Sequence, residues 1–322
     1  MHDVTSFSAQ SGRTGNGWHK IGILVSLVIV VAAGVVLFFL LRDIDLPKVV
    51  DAIHTKSWHS IAFAAAFVGC CYVTLTFYDF FSLHTIGRGH VPYRIAALSS
   101  FTSYSIGHNL GATVFTSNAV RWRIYSAWGL SVMDVAKMAF VTGLTFWLGN
   151  IVVLSLCFIV EPEAASAVDQ LPQLFNRSLG IAGLAIIASY VLWLVPRPRT
   201  VGRNGWSVTL PNAPLTGVQI AIGFVDLTVG GLAIYSLLPA MPAVDFVTVL
   251  VIFVTATLLG FLSHAPGSLG VFEVAMLVAL PQFAKEELLA SLLIFRVLYF
   301  VLPLCVAVCL MATREFILAM RK

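Results

Sequence analysis

Apolar runs long enough to cross a bilayer alternate with short polar connections along most of this 322-residue chain. A membrane helix needs about 20 such residues. The pattern predicts spans at 21–41, 58–83, 138–160, 178–195, 214–238 and 288–312. The first carries no charge, is too long for a signal-peptide core and lacks an A-x-A-like cleavage pattern after it, so it reads as a retained anchor. Two further apolar stretches, 95–120 and 244–281, are interrupted by SIGHNLGATVFTSN and SHAPGSLG. The expectation is an all-α polytopic membrane protein of about six full spans plus two broken or re-entrant segments.

Charge placement orients these elements, because loops on the cytoplasmic side are enriched in Lys and Arg. Arg13 and Lys20 set the N-terminal tail, residues 1–20, inside; Arg88 and Arg94 do the same for loop 84–94. Loop 161–177 holds Glu161, Glu163 and Asp169 against one Arg177 and reads as outer. Both ends of 95–120 then lie inside, which makes that stretch re-entrant. Arg197, Arg199 and Arg203 put loop 196–213 inside, and Arg314, Arg321 and Lys322 hold the tail 314–322 inside as well. The stretch 244–281 therefore enters from and returns to the outer side, as a re-entrant loop or as two tightly paired helices. Loop 42–57 fits least well, since Arg42, Lys48 and Lys56 face outward, offset by Asp43, Asp45 and Asp51. The transmembrane domain, 21–313, divides into halves 21–160 and 178–313 that form an inverted repeat. Secondary transporters recurrently use that plan, with a site at midplane between broken helices. His108-x-x-Gly111 in one half echoes His264-x-x-Gly267 in the other.

The breaks are where chemistry is expected. Pro266 removes a backbone donor, and Gly267, Gly270 and Gly111 weaken the helix. Backbone freed in hydrocarbon must be satisfied by protein or by a water-filled cavity. Glu273 follows the second break and is expected to look into such a cavity, or else to cap a helix or pair with an arginine. Arg296 lies too deep to snorkel; it pairs with Glu273 or Asp226, or its fork holds a lipid phosphate. Asp226 sits mid-span beside Gly223, Gly230 and Gly231, suiting either a packing contact or a cationic head group. Asp79, near a span end, reads as interfacial. His108, Asn109, Thr116, Ser117 and Asn118 make the first break polar. Arg121 and Arg123 follow at its inner mouth, where they bind phosphate or merely obey the charge rule. His264, with Ser263, and His108 read as polar linkers with a pH-sensing role open.

A net charge of +4 does not indicate nucleic acid, since the basic residues sit in short loops. The five cysteines, Cys70, Cys71, Cys157, Cys305 and Cys309, lie in apolar spans without metal-ligand company and read as reduced thiols. No P-loop, metal cluster or nucleophile–base arrangement appears in the sequence, so no cofactor and no ATP-driven step is expected.

The segments SYSIGHNLGATVFTSNAVRWRIYSAWGLS (103–131), GFLSHAPGSLGVFE (260–273) and RVLYFVLP (296–303) resemble the MprF family. The likeness is to its N-terminal transmembrane flippase domain, the lysylphosphatidylglycerol synthase transmembrane region, and covers the chain past residue 20. Asn118, Arg121, Arg123, Tyr125 and Gly129 meet one family pattern; Ser263 through Glu273 meet another, and Tyr299 lies in the third. Ser268 stands where the family usually has a second glycine. Full-length members carry a synthase domain that moves an aminoacyl group from tRNA onto phosphatidylglycerol. This chain holds no hydrophilic segment long enough for one, so the resemblance implies lipid translocation rather than enzymatic synthesis. The implied protein is a flippase of the bacterial inner membrane that moves an aminoacylated, lysyl-type phosphatidylglycerol or related phospholipid outward and so weakens attraction for antimicrobial cationic peptides. A separately encoded synthase is a possible partner, and a homo-oligomer is possible. Rival readings are a transporter of a polyprenyl-phosphate or hopanoid lipid, a membrane subunit of an aminoacyl-phosphatidylglycerol synthase, and a scaffold without transport.

Overall fold

A computed structural model describes residues 45–320, apart from 112, 198, 204 and 205. The expected anchor 21–41, the N-terminal tail, Arg42, Asp43, Arg321 and Lys322 lie outside the described residues. The helices are α1 Leu46–Thr55, α2 Trp58–Thr85, α3 Tyr93–Leu110, α4 Thr113–Tyr125, α5 Val132–Val160, α6 Pro162–Asp169 and α7 Gln173–Leu194. A two-stranded hairpin, β1 Thr200–Arg203 and β2 Trp206–Thr209, precedes α8 Ala213–Tyr235, α9 Phe246–Ser263, α10 Val271–Ala279, α11 Lys285–Arg296 and α12 Leu302–Met320. The protein is all-α and multi-pass. Six helices among the described residues are long and apolar enough to cross a membrane: α2, α5, α7, α8, α9 and the rod from Lys285 onward.

Local chemistry fixes the helix ends. Ser131 and Asp134 cap α5 reciprocally: the Asp134 N–H donates to Ser131 Oγ at 3.1 Å and the Ser131 N–H to Asp134 Oδ2 at 2.9 Å. Arg88, in the loop between α2 and α3, binds the same carboxylate at 3.0 Å. Asn212 caps α8 and Asp245 caps α9, each accepting from the N–H three residues on.

Both interrupted stretches fold as helical hairpins. The first break is much shorter than SIGHNLGATVFTSN suggests, because α4 runs straight through FTSN and the chain reverses around Gly111. The two arms are joined across the hairpin, with Ser117 Oγ donating to the Ser103 backbone carbonyl at 2.9 Å. The second break spans His264–Gly270 and contains a 3₁₀ turn, Pro266–Ser268. It returns as the nine-residue α10, so the arms are unequal, and α9 alone is as long as a short span. The hairpins are based on opposite sides. Loop Arg88 at the base of the first touches the N-terminal end of α5, whereas α9 packs against α6, which follows the C-terminal end of α5. The described portions thus form the expected inverted repeat.

Between lipid-soluble helices there is little hydrophobic gain, so close approach and polar contacts hold the bundle. A methyl on Gly149 of α5 would stand 2.6 Å from the Gly223 backbone of α8, so both glycines are required at that crossing. Gln219 adds hydrogen bonds from α8 to Val141 O at 3.2 Å and Thr145 Oγ1 at 2.8 Å on α5. Such interhelical bonds contribute about 0.6 kcal/mol each on average. Three elements were missed in loops: α1 within 42–57 packs on α11, α6 within 161–177 packs on α7, and the β-hairpin fills loop 196–213. The span expected at 288–312 is longer, because Lys285–Met320 is one rod carrying a π turn at Val297–Val301.

Candidate functional site

The two hairpin tips meet. A methyl on Gly111 would lie 2.9 Å from His264 O and from the Pro266 nitrogen, and Gly111 has φ 72°. Only glycine fits that combination of conformation and contact. Beside the tips lie two abutting cavities, of about 180 Å³ and 120 Å³. Both are bordered by His108 and Tyr299, with Phe146, Phe253 and Phe261 supplying apolar wall.

The larger cavity holds the polar groups. Arg121 does not sit at a cytoplasmic mouth; it is 3% exposed and turned inward. Its guanidinium meets Asp79 at 2.8 Å and 3.0 Å, donates to Asn118 Oδ1 at 3.2 Å and lies 4.7 Å above the Tyr104 ring. Asp79, expected at the interface, is fully buried and also accepts from the Tyr125 hydroxyl at 2.9 Å. The cause is register: Asp79 faces α4, where Arg121 and Tyr125 form an i,i+4 pair. Asp226 borders the same cavity and accepts from the Tyr78 hydroxyl at 3.2 Å. Among the described residues, no cationic side chain pairs with it. Arg123 is exposed.

Glu273 and Arg296 form the pair that was one of the open readings, rather than opening onto the cavity as expected for Glu273. Glu273 stands three residues after Gly270, so its second oxygen accepts the Gly270 N–H at 2.8 Å. Arg296 donates through Nε to Glu273 Oε1, and through Nη1 to Gly267 O at 2.9 Å. The fork therefore clamps the broken segment, where Gly267 and Gly270 have φ of 60° and 80°. Asp226 is not part of this clamp. Ser263 donates to Gly260 O at 2.7 Å and accepts from the Ala265 N–H, while His264 Nδ1 lies 2.9 Å from Leu262 O. His108 Nδ1 is buried with no hydrogen-bond partner, and its ring stacks on Tyr299, 6.3 Å away.

Sequence reasoning also missed how the third motif works. Pro303 has no N–H for Tyr299 O one turn back. The helix responds with a π turn, in which the Leu302 N–H reaches Val297 O. Tyr72 O–H donates to the vacant Tyr299 O at 3.0 Å, and Asn109 of the first tip donates to Phe300 O at 3.0 Å. Such turns occur often at functional sites. Among the described residues there is no His, Cys, Asp and Glu grouping suited to a metal ion.

Two opposed helical hairpins meeting beside an amphipathic cavity define a multi-pass membrane protein of inverted-repeat design. The chain belongs to the family of the uncharacterised protein slr0712 of Synechocystis sp., to which it is 30% identical over 236 residues, 72% of each chain. It is also similar to the inner membrane protein YbhN of Escherichia coli, at 27% identity over 297 residues, 90% of this chain and 91% of that one. A shorter likeness, 35% identity over 81 residues, joins 24% of this chain to 10% of a phosphatidylglycerol lysyltransferase of Staphylococcus haemolyticus. No family model matches the chain.

Proposed function

We propose that the protein translocates a phospholipid with a cationic head group, of the lysyl-phosphatidylglycerol type, from the inner to the outer leaflet of a bacterial inner membrane. The observation that carries this reading is the charge balance of the site. Arg121 is neutralised by Asp79 and Arg296 by Glu273, which leaves Asp226, among the described residues, as the carboxylate bordering the cavity without a cationic partner. A carboxylate lining a cavity at membrane depth needs a counter-charge. An ammonium-bearing head group supplies one, while the acyl chains stay in lipid. The cavity volume suits a head group rather than a whole lipid. The partial likeness to a phosphatidylglycerol lysyltransferase and the wider one to an inner membrane protein support the same direction. The MprF-type resemblance of the three motifs fits translocation, with aminoacylation left to a separately encoded synthase.

The test is reconstitution of the whole chain in liposomes with labelled lysyl-phosphatidylglycerol, plain phosphatidylglycerol or a polyprenyl phosphate. The cationic lipid is expected to cross fastest, and Asp226→Asn to remove that preference by about 30-fold or more, as for loss of a buried counter-charge. Equal crossing of all three lipids, unchanged by Asp226→Asn, overturns the assignment.

A further inference from the structure

We propose that Asp226 exchanges a proton for the cationic head group, so that each lipid moved outward is coupled to one proton moved inward. This inference rests on the lipid-transport reading above and adds its driving force.

The cavity offers Asp226 little that would hold a permanent negative charge when no lipid is bound. From α2 it faces the Tyr78 hydroxyl, with the Cys71 thiol 3.7 Å from its backbone carbonyl and Tyr72 beyond. From α3 and α4 come Tyr104, His108 and Arg121, the last already bound by Asp79; the π turn contributes Tyr299. From α5 and α9 come Phe146, Phe253 and Thr257, none of them titratable. An isolated carboxylate in such surroundings neutralises itself by taking up a proton. An arriving ammonium reverses that preference, since the ion pair replaces the proton. The site therefore has two neutral occupancies, carboxylic acid or carboxylate with cargo, and one charged one that is disfavoured. A carrier that changes sides only in its neutral forms is an obligatory exchanger.

The balance is complete. Docking of the head group releases the Asp226 proton to water on the side where the cavity is open. Lipid release on the other side lets Asp226 take a proton from that side. A lysyl-phosphatidylglycerol carries two ammonium groups and one phosphate, a net single positive charge, so exchange with one proton is electroneutral. The pH gradient drives it, and the membrane potential does not.

The experiment uses the full chain in phosphatidylcholine vesicles containing lysyl-phosphatidylglycerol, with outward-facing amines read by a membrane-impermeant amine reagent. A pH difference without potential should concentrate the lipid in the leaflet facing the acidic side, by about tenfold per pH unit at equilibrium. A potassium–valinomycin potential without a pH difference should do nothing. Lipid that equalises between leaflets whatever the gradient overturns the coupling and leaves the transport reading standing. Redistribution that follows the potential overturns electroneutral exchange. No movement of lipid under any condition overturns both.

Discussion

Gly111 at the tip of the first hairpin abuts Pro266 at the tip of the second, with no room for a methyl group between them. Two breaks separated by about half the chain therefore form one joint. The first hairpin also reaches the π turn through Asn109, while Arg296, immediately before that turn, clamps the second. Either hairpin can move relative to the other only by changing this shared contact, the property required of opposing gates around a central cavity.

Gly111→Ala should be severely disruptive. It places a Cβ in a backbone region reserved for glycine and drives it into Pro266. Strain and overpacking each cost about 1–3 kcal/mol. Unfolding in mixed micelles should show a loss of about 2–5 kcal/mol. A neutral substitution would mean that the tips do not touch.

The Glu273–Arg296 clamp gives a non-additive pattern. Glu273→Gln leaves a part-buried guanidinium facing the Gly267 and Ser268 carbonyls and the Phe300 ring without a counter-charge, and Arg296→Met leaves a buried carboxylate. Each should cost about 3 kcal/mol or more. Because the double variant leaves neither charge stranded, it should be less destabilised than the sum of the singles. Simple additivity in the double-mutant cycle would show that the two side chains act independently. Arg296→Lys should resemble the single loss, since an ammonium cannot reproduce the fork onto Glu273 and Gly267.

Most of the fold was legible because span length and loop charge are properties of contiguous sequence. The two breaks were legible too, through Pro266 and the glycines. What could not be read was pairing across helices. Asp79 looked interfacial from its distance to the span end, yet it faces Arg121, a partner 42 positions away. A signal existed in part: Arg121 and Tyr125 share a helix face and together call for a buried acid. Likewise the cavity reading of Glu273 was preferred over the helix cap and the arginine pair that were also open, although its spacing from Gly270 matches a backbone cap. The β-hairpin was missed because loop 196–213 was read for charge alone, while Asn204-Gly205 is a strong turn signal between alternating residues. α1 was obscured by its charges, which sit on the exposed side of a short amphipathic helix.

Ser268 offers a gain rather than a loss. It occupies the left-handed region with φ 52°, where a side chain costs about 1–2 kcal/mol. This accounts for a glycine being usual there in the resembling family. Ser268→Gly should therefore stabilise by about 0.5–1 kcal/mol after the added flexibility of the unfolded chain is subtracted. Ser268→Ala, which keeps the Cβ, should not. If both variants behave alike, backbone strain is not the operative term.

The π turn makes the most specific prediction, because its cause is a single missing hydrogen. In the native chain Tyr299 O depends on the Tyr72 hydroxyl, since Pro303 cannot donate to it. Tyr72→Phe should then strand a buried carbonyl, at about 1–3 kcal/mol. Pro303→Ala restores the in-helix donor and allows an ordinary helical turn. In that background Tyr72→Phe should cost little, so the two substitutions should be coupled by about 1 kcal/mol or more. On the transport reading proposed above, the Pro303→Ala protein should also move lipid more slowly, since straightening the rod displaces Phe300 O from Asn109 and with it the anchor of the first tip. Stability measured by unfolding and flux measured in liposomes should thus move in opposite directions. Parallel changes in both would show that the turn is a packing accommodation and not a working part of the joint.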